Sequence, residues 1–323
     1  MRIEVILAAL ALAAAPTFAT AAETVFPDRP IRMLVPYPAG GSLDLPGRAV
    51  GIKFSEATGQ QLVLDNRGGA GGLIAGEIVA RATPDGYTLI LASNGQVSIA
   101  PALYPKLPYD PTKELVPITH FVDTPMVLFA NAAFPAQSVK DLITMAKADP
   151  GKYGVALAGV GGVSHLTLEL FKIRANINLL PVPYRGAGAA MGDIAGGTVP
   201  MIFTGVAAAK PLLDTARVRA IAVCSRKRTG SLPNVPTFEE LGVKGMVMSN
   251  WFGVVGPKNL PPAIVTKLNQ AINQALQDPE IKEKITQGGN EVGGGDPAAF
   301  AKFIAAESDR WAKLIKAKGI KPE

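Results

Sequence analysis

A glycine turn near the start of the chain is the stretch best suited to bind a small anion. Segment 35–44 has the sequence VPYPAGGSLD and follows an apolar run, Ile31 to Val35, with the composition of a β-strand. A helical pattern follows from Leu43 to Ala57. A strand that enters a glycine turn and then a helix presents unpaired backbone N–H groups at the positive end of a helix dipole. This arrangement predicts that the turn binds a carboxylate and performs no chemistry on it.

A second unit of the same form covers residues 153–173. The strand pattern Tyr153 to Ala158 enters the turn GVGGVSH at 159–165, and a helical pattern runs from Leu166 to Ile173. Two such turns facing each other across a cleft could each hold one carboxylate of a dicarboxylate, because backbone N–H groups are preorganised and add no net charge. Strand–glycine–helix turns also occur in α/β proteins of every function, so spacing alone leaves a purely structural role open.

The adjacent residues Ser164 and His165 suggest a hydrolase as the alternative from another functional class. Neighbouring residues cannot act as nucleophile and base for each other in the usual arrangement, and the chain has no G-x-S-x-G elbow. The only other histidine is His120. Because Ser164 falls at a predicted helix start, we expect it to be an N-cap or a ligand contact.

The sequence offers no pattern for a cofactor or a metal. Segment 186–192, GAGAAMG, resembles a dinucleotide fingerprint, but its third glycine is misplaced and no acidic residue ends a second strand at the required distance. Two histidines and the single Cys224 are too widely spaced for zinc, and the acidic residues lack calcium-loop spacing. Cys224 follows an apolar run, which predicts a buried side chain without a disulfide.

Composition and charge indicate an exported globular protein. Of 323 residues, 48% are hydrophobic and 18% charged, which is typical of a chain with a full core. The net charge of +6 is scattered and aromatic residues are only 6%, so the basic, aromatic-rich surface of a nucleic-acid-binding protein is not indicated. Residues 1–22 combine one leading arginine, an apolar run too short to span a bilayer and a small-residue pattern. They predict a signal peptide cleaved near Ala21/Ala22 and a periplasmic location.

The order of the predicted elements places both turns at one cleft. Strand and helix patterns alternate over 31–93 and again over 153–223, which favours parallel α/β architecture. Extended stretches at 118–130 and 247–255 are expected to cross between the two blocks, and ligands bind at the carboxyl ends of such strands. The predicted boundaries are a signal peptide at 1–22, one domain at 23–123 and 250–323, and a second domain at 124–249.

Turn chemistry predicts three helix ends, with Ser42 and Ser138 as N-caps and Gly59 as a helix stop. Trp311 lies on the apolar face of a helix predicted from Ala298 to Ala317, which predicts a position in the core.

Short motifs along nearly the whole mature chain carry a family resemblance. They are PIR at 30–32, VPY at 35–37 with Gly40, Gly41 and Asp44, NR at 66–67 with GAGG at 69–72, PDGYTL at 84–89, PALY at 101–104, LPYDP at 107–111, SHL at 164–166, VPYRG at 182–186 and WFG at 251–253. Together they resemble the Bug family, the substrate-binding components of tripartite tricarboxylate transporters.

The resemblance implies a two-lobed periplasmic binding protein fold of type II-like form, with two open sheets, a ligand cleft between them and two crossing strands. Nothing in the sequence requires an oligomer, so a monomer is expected. The resemblance implies that it captures a carboxylated small molecule, either a di- or tricarboxylate or an aromatic acid. The protein would deliver this ligand to inner-membrane permease subunits, without enzymatic activity, cofactor or nucleic acid. A ligand-sensing partner of a membrane sensor protein is the alternative that would use the same pocket.

The resemblance also implies a set of contact residues. Position 204 carries an acidic residue in members that bind amino acids, whereas Thr204 is neutral here, so ligands with a cationic amine are expected to be disfavoured. Arg67 and Arg185 are expected to be structural. The expected contacts are Tyr37, Ala39, Gly40, Gly41 and Asp44 from the first turn, Gly161, Val163, Ser164 and His165 from the second, and Ser93 and Thr204 from two further strand ends.

Overall fold

The computed structural model describes residues 26–37 and 43–322. The predicted signal peptide, the predicted Ser42 cap and three expected contacts, Ala39, Gly40 and Gly41, therefore lie outside the described residues. The side chains of Asp44, Leu45 and Ala70 lie outside them as well.

Strands and helices alternate along most of the described chain, as the hydrophobic patterns predicted. The elements in chain order are β1 Ile31–Val35, α1 Asp44–Thr58, β2 Leu62–Asn66, α2 Leu73–Ala80, β3 Thr88–Ser93, α3 Ala100–Leu103, α4 Pro111–Glu114, β4 Leu115–Pro125, β5 Val127–Asn131, α5 Val139–Ala148, β6 Gly154–Ala158, α6 Val163–Ala175, β7 Leu180–Tyr184, α7 Ala187–Gly196, β8 Met201–Thr204, α8 Val206–Asp214, β9 Val218–Val223, β10 Ser249–Pro257, α9 Pro262–Gln277, α10 Pro279–Gln287, β11 Glu291–Val292 and α11 Pro297–Lys318.

Local sequence explains several of these boundaries. Ser138 caps α5 through a reciprocal box with Asp141, as the sequence predicted for Ser138. Gly59 ends α1 in the left-handed conformation, φ 72°, which glycine adopts without strain. Of the two roles expected for Ser164, the N-cap is wrong, because the N-cap of α6 is Gly162, two residues earlier.

The strands form two sheets, each covered by helices on both faces. The first has the order β11-β4-β10-β3-β1-β2 and the second the order β7-β6-β8-β5-β9. Helices α1, α9 and α10 pack on one face of the first sheet, and α2 and the start of α11 on the other. Helices α5 and α6 cover one face of the second sheet, and α7 and α8 the other. We call each sheet with its helices the first and second lobe.

The sheets are mixed, but the parallel arrangement predicted for the blocks 31–93 and 153–223 is confirmed within each block. Strands β1, β2 and β3 are parallel, as are β6, β7 and β8. Strands β4, β10 and β5 instead pair in antiparallel fashion with their neighbours. The reason is that β4, β5 and β10 lie at the connections between the lobes, so their direction follows the crossing rather than a βαβ unit.

Two crossings join the lobes, as predicted from the extended stretches. Met126 alone separates β4 from β5, and the second crossing leaves β9 at Cys224 and enters β10 after Met248. The three backbones form a closed ring of hydrogen bonds: Met126 N–H donates to Met248 O at 2.9 Å, Met248 N–H to Cys224 O at 2.7 Å, and Cys224 N–H to Met126 O at 2.7 Å. Cys224 is buried there, as expected, and burial raises the pKa of its thiol.

Helix α11 contacts both lobes. Phe300 and Ile304 in its first half belong to the core of the first lobe. Trp311, Leu314 and Ile315 in its second half belong to the core cluster of the second lobe. Trp311 is a fully buried core residue, as its helical spacing predicted. Within the described residues, no helix has the length and apolar character needed to cross a membrane.

Candidate functional site

A cavity of about 1020 Å³ lies between the two lobes. Six strand-to-helix connections line it, three from the first lobe after β1, β2 and β3 and three from the second after β6, β7 and β8. Parallel neighbouring strands end at the same edge of a sheet, so the connections that follow them lie close together. The cavity is thus the cleft that the order of elements predicted.

Three helix N-termini form the wall contributed by the second lobe. Helices α6, α7 and α8 begin after Gly162, Gly186 and Gly205, all of which line the cavity, and none of these N-caps supplies a side-chain hydrogen bond. A glycine cap leaves the first N–H groups of the helix available to a ligand. Three uncapped helix starts beside one cavity therefore create a region of positive potential without a charged side chain.

Two glycines in this wall are required by close approach to the first lobe. A Cβ atom on Gly161 would lie 2.5 Å from Leu103 Cδ2, and one on Gly205 would lie 2.5 Å from Thr124 Cγ2. Gly161 also has φ 73°, a conformation that other residues adopt only with strain. A larger residue at either position would require the side chain of Leu103 or Thr124 to move.

A hydrogen-bonded network fixes the wall contributed by the first lobe. The Tyr37 hydroxyl donates to Ser93 Oγ at 2.9 Å, Ser93 Oγ donates to Gln96 Oε1 at 3.0 Å, and Gln96 Nε2 donates to Gly71 O at 2.8 Å. Burial raises the pKa of Tyr37, so its hydroxyl keeps the proton it donates. Asn66 Nδ2 donates to Tyr37 O at 3.0 Å and anchors the backbone where the first glycine turn begins.

Ser93 lies at the cavity but is already engaged. Its hydroxyl accepts from Tyr37 and from Gly95 N–H, and it donates to Gln96. A hydroxyl has one proton and two lone pairs, so these three bonds use its capacity. Ser93 is therefore built to position Tyr37.

The structure places the expected contact residues in three groups. His165 does not line the cavity. Ala39, Gly40, Gly41 and the side chain of Asp44 lie outside the described residues. The expected residues that do line the cavity are Tyr37, Ser93, Gly161, Val163, Ser164 and Thr204.

His165 supports the second glycine turn from behind. Its Nδ1 accepts a hydrogen bond from Gly161 N–H at 3.0 Å, which requires the neutral imidazole. Burial lowers the pKa of His165, so it favours the same neutral form of the ring that this hydrogen bond requires. The side chain therefore holds Gly161 in its left-handed conformation and does not extend into the cavity.

Acidification is expected to destabilise the protein through His165. Because its pKa is lower in the folded state than the unfolded value of about 6.5, the unfolded chain binds the proton first. The stabilising contribution is complete above about pH 6.5 and decreases as pH falls toward the folded pKa. Urea unfolding between pH 7.5 and 5 measures it, with His165→Gln as the control. An equal pH dependence in parent and variant would contradict this role.

Ser164 has no histidine partner for hydrolysis. Its hydroxyl lies 3.5 Å from Ala156 O, and the neighbouring His165 ring is committed to Gly161. His120 lies in the first lobe, stacked against Phe300 at 5.5 Å between ring centroids. Ser164 thus lies in the cavity wall without a histidine to act as its base.

Several lining residues were missed by the sequence analysis. Asn94 and Gly205 directly follow the ends of β3 and β8, so the rule that ligands bind at strand ends could have identified them. Thr124 and Asn250 lie on the crossing strands and are paired directly across β4 and β10. They are 126 positions apart, and only the register of the sheet brings them to the cavity.

No described lining residue of the cavity carries a charge. Arg67, expected to be structural, is paired with Asp65 at 3.0 Å, and Arg185 is exposed and not part of the lining. Among the residues described, no cluster of metal-ligating side chains forms. The described part of the wall therefore offers an anion backbone N–H groups, helix dipoles and neutral donors.

Two α/β lobes with two crossings and a cleft at the strand ends define a solute-binding protein of the periplasmic binding class, as in solved structures of that class. The profile of the tripartite tricarboxylate transporter family receptor matches residues 47–320. The chain belongs to this family.

Individual relatives support the assignment over nearly full length. Protein BugT of Bordetella pertussis (strain Tohama I) is 36% identical over 311 residues, covering 96% of this chain and 95% of the relative. A structure of an R. palustris protein with adipate has 34% identity and a TM-score of 0.82, covering 92% of this chain and 100% of that one. MatC from Rhodopseudomonas palustris, solved with bound malate, has 31% identity and a TM-score of 0.76, covering 90% and 100%.

Proposed function

We propose that this protein is a periplasmic receptor that captures a carboxylated small molecule and delivers it to a tripartite tricarboxylate-type permease in the inner membrane. The observation that carries the proposal is the convergence of three uncapped helix N-termini on a cavity between two lobes, whose described lining residues carry no charge. The bound adipate and malate of two similar proteins support a carboxylate ligand. Removal of residues 1–22 by cleavage near Ala21/Ala22 would release the receptor into the periplasm.

The proposed contacts divide between the lobes. Tyr37 and the turn that follows it would hold one carboxylate, and the N–H groups at the start of α6, with Ser164, would face it from the second lobe. Thr204 offers a neutral hydroxyl where an ammonium group would need a carboxylate. The protein would thus act by binding alone, with residues 23–123 and 250–323 closing on 124–249.

A panel of carboxylates should raise the melting temperature of the purified mature protein, measured after unfolding and refolding to remove any retained ligand. At 100 times its dissociation constant, a ligand adds about 2.7 kcal/mol to the free energy of unfolding. Adipate is compared with adipamide, its uncharged analogue, and glutarate with glutamate, which adds only the amine. We expect shifts with the acids and smaller ones with adipamide and glutamate. Equal shifts with adipate and adipamide, or no shift with any acid, would reject the proposal.

A further inference from the structure

We propose that the cavity selects acids with one or two carboxylates on a largely apolar body and discriminates against tricarboxylates, in spite of the family's name. The inference rests on the proposed function and specifies two further properties of the ligand: how many carboxylates it has, and how polar the rest of the molecule is. It is carried by the charges and the side chains that surround the cavity.

The described wall of the cavity offers no positively charged side chain that could balance the carboxylates of a ligand. The described lining includes no lysine, arginine or histidine, and residues 38–42, with the sequence PAGGS, add no basic side chain wherever they lie. The next residues include the acidic Asp44. Positive potential is therefore left to the helix N-termini.

Helix dipoles alone can balance one or two carboxylates. Each N-terminus is equivalent to about +0.5 of an elementary charge, so α6, α7 and α8 together supply about +1.5. The start of α1 adds nothing to this total, because its first residue is the acidic Asp44. A third carboxylate would have to enter the cleft without a partner. Desolvating an unpaired carboxylate is costly, and the cost increases with each neighbouring negative charge.

Most of the remaining wall is apolar, although Asn94, Thr124 and Asn250 also line the cavity. Leu73, Ile99 and Leu103 line the cavity from the first lobe, and Met126, Val160 and Phe203 line it from the crossing and the second lobe. Hydroxyl groups of a ligand placed against these side chains would lose hydrogen bonds to water without replacement. Aliphatic chains of medium length and aromatic rings bury their surface there at no such cost.

Size does not explain the selection. The cavity volume of about 1020 Å³ exceeds what a six-carbon acid needs and is at the upper end of ordinary ligand pockets, which hold drug-sized molecules in about 300–1,000 Å³. A tricarboxylate would fit. The discrimination is therefore expected to follow charge and polarity, and both can be varied in ligands of matched shape.

Calorimetry with two matched ligand pairs tests the inference on refolded mature protein at pH 7.5. Glutarate and propane-1,2,3-tricarboxylate differ by one carboxylate on the central carbon, and adipate and galactarate differ by four hydroxyl groups. We expect glutarate to bind at least about 10-fold more tightly than the tricarboxylate, and adipate at least about 10-fold more tightly than galactarate. A tricarboxylate that binds as tightly as glutarate, or galactarate as tightly as adipate, would overturn the inference and leave the proposed function standing. If none of the acids binds, the proposed function itself fails.

A substitution in the cavity wall tests whether charge causes the preference for glutarate over the tricarboxylate. Ala208 is exposed, lies in the first turn of α8 and lines the cavity. Ala208→Lys adds a cation there, while Ala208→Gln adds a neutral chain of similar length, and both residues are good helix formers. We expect the lysine variant to narrow the ratio of glutarate to tricarboxylate affinity by about 10-fold and the glutamine variant to leave it unchanged. An unchanged ratio in the lysine variant would contradict the charge argument.

Discussion

Replacing Gly188 with aspartate is expected to weaken carboxylate binding by about 100-fold while the protein stays folded. Gly188 is the second residue of α7, it lines the cavity, and a Cβ atom added to it meets no other atom within 4 Å. The new carboxylate would lie beside the helix start that is proposed to attract the ligand. Two like charges about 6 Å apart at an effective dielectric constant of about 20 repel by about 3 kcal/mol.

The stability of the variant should move in the opposite direction from its affinity. An acidic residue in the first turn of a helix stabilises it by about 0.3–1 kcal/mol, and aspartate has a slightly better helix propensity than glycine. Lost binding with unchanged or increased melting temperature therefore cannot be attributed to misfolding.

Gly188→Asn provides the control, because asparagine has nearly the shape of aspartate without its charge. We expect its affinity for adipate or glutarate, measured by calorimetry, to stay within about threefold of the parent. Equal losses in the two variants would show that bulk rather than charge blocks the cavity. They would contradict the proposal that α7 attracts the ligand electrostatically.

Truncation of Trp311 to alanine is expected to reduce the free energy of unfolding by about 3–5 kcal/mol. Its side chain is 0% exposed and packs in the core cluster of the second lobe, although α11 begins on the first lobe. The neighbouring Arg310 lies over the indole ring, 5.0 Å from its centroid, and donates to Val247 O at 2.6 Å beside the second crossing. The cavity left by the indole would loosen the helix where it joins the lobes.

Two further variants on α11 test whether the loss of stability in Trp311→Ala comes from the missing buried ring. Trp311→Phe keeps an aromatic ring and is expected to cost about 1–2 kcal/mol, since the indole N–H has no hydrogen-bond partner to lose among the described residues. Lys313→Ala removes an exposed side chain that pairs with the exposed Asp309, so a change within about 0.5 kcal/mol is expected. Urea unfolding measures all three. A loss below about 1 kcal/mol for Trp311→Ala would mean that the end of α11 contributes little to the core.

The local features of this protein could be predicted because they depend on neighbouring residues. The periodicity of apolar residues predicted most strands and helices, and the capping serine at 138 and the glycine stop at 59 were identified from turn chemistry. The two crossings followed from long extended stretches between blocks. The family resemblance, distributed over many short motifs, led to the same two-lobed arrangement.

The roles of individual site residues were less accessible, because they depend on which partner each side chain finds. Ser93 and His165 were both expected to contact the ligand. In the folded protein the Ser93 hydroxyl is occupied by Tyr37, Gly95 and Gln96, and His165 accepts the Gly161 N–H. Sequence spacing indicates that a polar residue lies near a cleft, but it does not indicate whether a nearer donor or acceptor has already taken its capacity.

By itself, the sequence determined the glycine turns, the absence of basic residues from 35–44 and the elements that flank the turns, because turns and helix starts are set within a few residues. The tertiary structure decided that the starts of α6, α7 and α8 meet at one cavity, since this depends on β6, β7 and β8 lying side by side in parallel. It also decided that Thr124 and Asn250 lie opposite each other at the base of the cleft. Register and strand order arise from pairing between distant parts of the chain, which no local pattern encodes.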